Sequence, residues 1–179
     1  MKDDIERILF TEEQISKRIA ELGEQITNEY AGRKIMLIGV LKGCYVFLAD
    51  LSRKINLESE IVFLSASSYG FSSVTSGKVN VETNIGFEVK DKHVIIIEDI
   101  LDTGVTLTAL HALVVKRGPA SLKICAFLDK PERRDMPLTA DYTGFICPNE
   151  FVVGYGLDYA EKYRNLPYIA VLKPEKYGI

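Results

Sequence analysis

Residues Val94-Ile95-Ile96-Ile97 are apolar on both alternating faces, and the chain then runs directly into Glu98-Asp99-Ile100-Leu101-Asp102-Thr103-Gly104-Val105-Thr106. A strand of this kind needs cover on both sides, which is the situation of an inner strand in a parallel sheet packed between helices. After Thr106 the apolar spacing becomes helical, with Leu107, Leu110, Leu113 and Val114 on one side. A buried strand that passes through acids and a Thr/Gly turn into a helix restricts the chain to an α/β architecture with a ligand at the strand's carboxyl end.

The turn itself suggests what that ligand is. A loop of small and hydroxyl residues opening a helix presents unpaired N–H groups at the positive end of the helix dipole, a setting suited to a phosphate dianion. Thr103, Gly104, Thr106 and Thr108 supply this geometry, while Glu98, Asp99 and Asp102 would repel a bare phosphate. Their presence calls for something cationic or rich in hydroxyls beside it: Mg²⁺, ribose hydroxyls, or a base whose proton must be moved. A phosphorylated sugar with a metal meets all of these demands. The same residues also admit a plainer reading as a solvated loop with a helix cap. The stretch matches neither G-x-x-x-x-G-K-[ST] nor G-x-G-x-x-G, which removes the main support for a nucleoside triphosphate or a dinucleotide.

Composition narrows the partners. The 179 residues suit one domain spanning 1–179, and a formal charge of −3 without a long Lys/Arg run argues against nucleic acid or an anionic membrane as the main partner. Three cysteines in no C-x-x-C pair and only two histidines make a zinc site or a disulfide framework a poor fit. The acidic start Lys2-Asp3-Asp4 is unlike a signal peptide, and no apolar stretch is long enough to cross a bilayer, so a cytoplasmic protein with reduced thiols is expected.

Along the chain, Thr11-Glu12-Glu13-Gln14 matches a capping box, and Ile15, Ile19, Leu22 and Ile26 predict a helix ending near Gly32. A strand is expected over Lys34 to Leu41, a helix over Tyr45 to Arg53 with Phe47, Leu48 and Leu51 inward, and strands over Glu60 to Ala66, His93 to Ile97 and Leu122 to Leu128. The segment from Ser67 to Lys78, rich in Ser, Gly and Thr and without periodicity, is either a lid over the site or an ordinary surface loop.

Other constellations fall at strand ends. Lys42-Gly43 offers a cation and a close backbone approach to a pyrophosphate, or merely a turn. Lys130 stands where it would donate to a carbonyl oxygen on a base, whereas Arg133 and Arg134 are expected on a solvated surface or at a subunit contact. Phe151 offers a flat face to an aromatic ring, or a core aromatic at a strand start, and Arg164 is a phosphate clamp or a surface arginine.

Together these segments resemble the hypoxanthine/guanine phosphoribosyltransferases of the bacterial kind, within the type I phosphoribosyltransferase family. The likeness runs from Thr11 to Leu172: L-K-G at Leu41 to Gly43, S-S-Y-G at Ser67 to Gly70, the phosphoribosyl-pyrophosphate (PRPP) signature E-D-I-x-D-T-G-x-T from Glu98, L-D-K-P at Leu128 to Pro131, and F-V-V-G-Y-G-L-D-Y from Phe151. The resemblance implies a mainly parallel central sheet flanked by helices, with a small hood formed by terminal segments. It implies transfer of the phosphoribosyl group from PRPP to N9 of a 6-oxopurine, with Mg²⁺ as cofactor, in a homodimer or homotetramer. By the same resemblance Glu98 and Asp99 would hold ribose hydroxyls and metal, and Asp102 would act on N7 of the purine as general acid/base. Thr103, Gly104, Val105 and Thr106 would wrap the 5′-phosphate, and Lys42, Gly43 and Arg164 would hold pyrophosphate. Lys130 would bond O6, Phe151 would stack on the purine, the Val152 backbone would read its edge, and Asp158 would serve a second metal and the 2-position. Ser68 and Tyr69 would belong to the family's mobile loop, whose closure would exclude water from a carbocation-like sugar.

The chain departs from the family after that loop, where Thr83-Asn84-Ile85-Gly86 replaces a more acidic stretch, and position 105 is valine, so only its backbone is assigned. A second reading keeps the fold and PRPP site but makes the protein a regulator acting on DNA or RNA; the basic face or added segment expected of one is not evident. A receiver-like Mg²⁺ domain shares the acidic strand ends but leaves the Thr/Gly turn, Lys130 and Phe151 without a purpose.

Overall fold

A computed structural model of the protein describes residues 1–65 and 86–178. The candidate lid from Ser67 to Lys78, Ser68 and Tyr69 with it, and the atypical Thr83 to Ile85 lie outside the described residues.

Eight strands and three helices are described: β1 (Ile5–Phe10), α1 (Glu12–Glu29), β2 (Ile35–Leu41), α2 (Tyr45–Ser52), β3 (Ser59–Ser65), β4 (His93–Leu101), α3 (Val105–Val115), β5 (Ser121–Asp129), β6 (Tyr142–Ile146), β7 (Val152–Val153) and β8 (Ile169–Leu172). Five strands form a parallel sheet in the order β3-β2-β4-β5-β6. The other three form a small antiparallel sheet, β1-β8-β7, built from both ends of the chain, which is the hood.

The period-2 alternation of the central strands divides the core into two layers. Leu37, Ile95, Ile97, Cys125 and Phe127 face α1 and α2, packing with Ile15, Ile19, Leu22, Ile26, Phe47, Leu48 and Leu51. Met36, Ile38, Val40, Val94, Ile96, Ile124 and Ala126 face α3, meeting Leu107, Leu110 and Val114. Each such side chain taken out of water stabilises the fold by about 1.5–3 kcal/mol, so the sheet is held from both sides. The capping box of α1 forms as the sequence predicts, Thr11 Oγ1 accepting from Gln14 N and Gln14 Oε1 accepting from Thr11 N at 2.8 Å. The helix ends at Glu29, and Gly32 at φ +75° turns the chain toward β2. The helix after the acidic strand starts two residues earlier than expected, at Val105.

The hood sits on the sheet through aromatic contacts. Phe10 stacks on Phe145 with centroids 4.2 Å apart, and Tyr155 packs against Phe127 at 4.9 Å. Its seam is closed by Asp4, whose carboxylate meets Lys176 Nζ at 2.9 Å and accepts from Tyr163 Oη at 3.1 Å. The Lys176 bond is the largest of the influences that lower the Asp4 carboxyl from 3.8 to about 2. A carboxyl so lowered stabilises the fold above its unfolded value, and that contribution disappears as pH falls through about 2. Asp4→Asn should therefore lower the urea midpoint at about pH 5 and above, and its difference from the parent should shrink toward zero as the acid limb is descended. A pH-independent difference would mean that the contact acts by shape and not by charge.

Sequence order explains where a ligand goes. From β2 the chain steps outward to β3 and then returns to lay β4 on the other side of β2, so the connections leave the sheet in opposite directions between β2 and β4. A crevice opens at the carboxyl ends of the strands at such a reversal.

Candidate active site

The ends of β2 and β4 form that crevice, a cleft of about 520 Å³. From β2 it receives Lys42 and Gly43, and from β4 and the following turn it receives Glu98, Asp99, Asp102, Thr103, Gly104 and Thr106. The loop after β7 adds Asp158, Glu161 and Arg164. Ten residues expected at a site thus share one cavity, although they come from three distant parts of the chain.

The strand carrying the acids is longer than the apolar run suggests. It continues to Leu101, so Glu98 and Asp99 lie within the strand and not beyond its end. What ends is the pairing with β2, whose last partners are Gly39 and Ile97, while pairing with β5 continues to Leu101. Asp99 Oδ1 accepts from the Ile100 N–H at 2.9 Å. Burial pushes both carboxyls above their usual range, and for Glu98 the neighbouring Asp99 charge pushes further in the same direction. Two partly buried carboxyls side by side are a poor place for a second negative charge and a good one for a cation or for hydroxyl donors.

The Thr/Gly turn is shaped for an anion. Gly104 caps α3 at φ +82°, a conformation that costs a residue with a Cβ, and Val105 N points to Thr103 Oγ1 at 3.4 Å. Val105 itself does not line the cleft.

The turn is braced by residues that local pattern assigned elsewhere. Arg134 is not on a solvated surface: its side chain is 13% exposed, it pairs with Asp129, and it donates to the carbonyls of Leu138, Leu101 and Asp102, the last at 2.9 Å. Thr103 O accepts from the N–H groups of Asp135 and Met136. Arg133, half exposed, places Nε 2.8 Å from Asp102 Oδ1. The approach is an ion pair without hydrogen-bond alignment, since that buried oxygen accepts no hydrogen bond among the described residues. Both arginines thus serve the acidic turn. The charge run at Lys130 to Arg134 carried the signal, but only the return of β5 past β4 identifies its target.

The cleft's cations are already paired. Lys42 Nζ lies 3.0 Å from Glu161 Oε1, and Arg164 reaches Asp158 Oδ1 at 2.7 Å and Glu161 Oε2 at 3.3 Å. Glu161 was not among the expected site residues. Gly43 is pressed from two sides: a Cβ on it would overlap Asp99 Oδ2, and its carbonyl fills the space that a Cβ on Gly156 would need.

Of the residues expected to hold a base, Asp158 lines this cleft, whereas Lys130, Phe151 and Val152 do not. Lys130 is 6% exposed, and its Nζ donates to Glu150 O at 2.6 Å. Val152 is buried and pairs with Val171 of β8. Phe151 is 36% exposed, which sets aside the fully buried core reading; Tyr177 stacks on it at 4.6 Å, and the Tyr159 ring stands perpendicular to it at 5.4 Å. All three cysteines are free and buried, and burial holds their thiols above the usual range.

Residues 8–160 match the phosphoribosyl transferase domain family. The chain belongs to that family. It is 49% identical to the hypoxanthine-guanine phosphoribosyltransferase of Bacillus subtilis, over 99% of this chain and 98% of that one. It is 47% identical to a bifunctional protein TilS/HprT of Listeria monocytogenes, over 99% of this chain but only 28% of that protein's length. Among solved structures, a hypoxanthine phosphoribosyltransferase from Staphylococcus aureus is 45% identical and superposes with a TM-score of 0.94, covering 100% of this chain and 97% of the other. The fold is that of the type I phosphoribosyltransferases, and the relatives carry an enzyme's name and not a regulator's.

Proposed function

We propose that the protein transfers the 5-phosphoribosyl group of PRPP to N9 of hypoxanthine or guanine, releasing pyrophosphate and serving purine salvage. The observation that carries this reading is the single cleft in which a phosphate-shaped turn, a pair of partly buried carboxyls and two cations converge, with an aromatic platform and a buried lysine beside it.

Each part has a task in the reaction. Thr103, Gly104, Val105 and Thr106 hold the 5′-phosphate through backbone N–H groups and hydroxyls. Glu98 and Asp99 take the ribose hydroxyls and Mg²⁺. The donors fit that metal: buried carboxylate oxygens that resist ionisation alone are relieved by a hard cation, and Mg²⁺ commonly takes one or two carboxylates together with substrate phosphates. Among the described residues no cluster of three or more metal-ligating side chains exists, in keeping with a metal that shares its ligands with the substrate. Asp158 is less free to join it, since Oδ1 faces Arg164 and Oδ2 accepts from Glu161 N at 2.8 Å. When bound, Mg²⁺ supplies charge stabilisation to the departing pyrophosphate.

Breaking the bond from C1′ to pyrophosphate oxygen builds positive charge on the sugar and negative charge on the leaving group. Lys42, the Gly43 backbone and Arg164 meet the negative side, and the acids meet the positive side. Asp102 exchanges the proton at N7 while N9 bonds to C1′. Lys130 donates to O6, the Val152 backbone reads the edge of the ring, and Asp158 serves the 2-position. One face of Phe151 is covered by Tyr177, so the base uses the other.

The decisive assay incubates the protein with PRPP and Mg²⁺ and each of hypoxanthine, guanine, xanthine and adenine, and follows nucleotide formation; no product with any base would overturn the reading. Lys130→Met should weaken 6-oxopurine affinity by about tenfold to a few hundredfold, the value of a lost charge-assisted bond, while PRPP affinity is retained. Equal weakening of both ligands would remove Lys130 from the base pocket. Among the described residues no helix is long and apolar enough to cross a membrane, and we place the enzyme in the cytoplasm as a homodimer or homotetramer.

A further inference from the structure

Glu161 lies between the two cations assigned to the leaving group and satisfies both, through Lys42 at 3.0 Å and Arg164 at 3.3 Å. Those contacts draw its carboxyl below the usual range, the Lys42 bond having the largest effect. The backbone is arranged to place it there. Ala160 and Glu161 stand at φ +51° and +60°, left-handed conformations that each cost a residue with a Cβ about 1–3 kcal/mol. Asp158 Oδ2 holds the turn by accepting from Glu161 N. Meanwhile Arg164 Nε is buried without a hydrogen-bond partner among the described residues, so the guanidinium retains donor capacity that Glu161 does not fill.

From this geometry we infer that Glu161 is an internal counter-anion for the leaving-group site, a positioning residue that holds Lys42 and Arg164 where pyrophosphate will bind and that pyrophosphate displaces. The inference rests on the proposed reading of Lys42 and Arg164 as pyrophosphate contacts. Its carboxylate gives each cation a partner in the absence of ligand, which prevents the two like charges from turning away into solvent. It also subtracts from pyrophosphate affinity, since two ion pairs must be broken on binding and re-form on release. Its place in catalysis is therefore the departure of product.

The charge-removing variant Glu161→Gln should bind pyrophosphate with Mg²⁺ more tightly by about three- to tenfold, the range expected from two solvent-exposed ion pairs. The measurement is titration calorimetry with inorganic pyrophosphate as ligand. In steady state the variant should show a lower KM for PRPP, stronger product inhibition by pyrophosphate, and a kcat that is reduced or unchanged. A residue that merely supported the loop would shift these in the opposite direction, weakening the ligand. Glu161→Gly, which suits the left-handed backbone, should reproduce the tighter binding if the glutamine variant does not fold. Lys42→Met is measured alongside. Weaker pyrophosphate binding in Lys42→Met with unchanged or weaker binding in the Glu161 variants overturns the counter-anion alone; unchanged binding in Lys42→Met overturns the leaving-group assignment beneath it.

Discussion

Asp102→Asn should lower turnover by about two to four orders of magnitude while leaving PRPP affinity within a few fold of the parent. Asparagine keeps the shape of the side chain but cannot take a proton. The turn it stands on should survive the change, because Arg134 holds the carbonyls of Leu101 and Asp102, and Asp135 and Met136 hold that of Thr103. The parent and variant are compared in rapid-quench turnover and in PRPP binding by calorimetry. Near-normal turnover would remove Asp102 from the chemistry, and a matching loss of PRPP affinity would make it a binding residue instead. Arg133, 2.8 Å from the same carboxylate, loses its partner's charge in this variant, so a modest change in salt dependence should accompany the loss of rate.

Gly43→Ala should be nearly as damaging, for a steric and not a chemical reason. A methyl group at this position overlaps Asp99 Oδ2, a carboxylate that is itself partly buried and bonded to its own strand, so it has little room to withdraw. On the other side the Gly43 carbonyl already touches the surface of Gly156. Displacing either neighbour costs on the order of 1–3 kcal/mol as overpacking, and because the proposed reaction places the reacting atoms beside Asp99 a shift of about 1 Å should correspond to roughly a hundredfold in rate. Loss of PRPP binding and of turnover together, with the melting temperature lowered by about 2–12 °C, is the expected outcome. An alanine variant with parental kinetics would show that the turn moves freely and that its tight packing is of no consequence.

Much of this could be read from local pattern, and the physical reason is that the informative residues are neighbours in sequence. The six inner elements from β2 to β5 carry clear apolar patterns, and their predicted bounds differ from the observed ones by a few residues. The strand with its acids and the Thr/Gly turn form one uninterrupted segment, so Glu98, Asp99, Asp102, Thr103, Gly104 and Thr106 were legible as a group. The individual hood strands were not. β1 carries Glu6 and Arg7 in its middle, β7 has two residues and β8 four, too short for any period to stand out. They are strands because both ends of the chain meet in one sheet, with Ile5 opposite Leu172. Distance in sequence likewise hid the bracing of the site. Glu161 pairs with a lysine 119 positions earlier, and Arg134 closes on carbonyls more than thirty residues back. A charge pattern identifies such residues as charged and nothing more, since the partner is chosen by the fold.

The contact between Gly156 and Gly43 has a consequence for the order of events at the site. Gly156 belongs to the loop that leaves β7, a few residues beyond Phe151, while Gly43 lies in the turn proposed to approach the leaving group. Where a backbone carbonyl rests on a residue with no side chain, neither segment can shift without taking up or opening that space. Whatever settles the one must settle the other, and linkage requires the effect to be reciprocal. The purine should therefore bind more tightly to the protein carrying PRPP than to the empty protein, and PRPP should gain by the same factor from the purine, as two ligands sharing a single hinge.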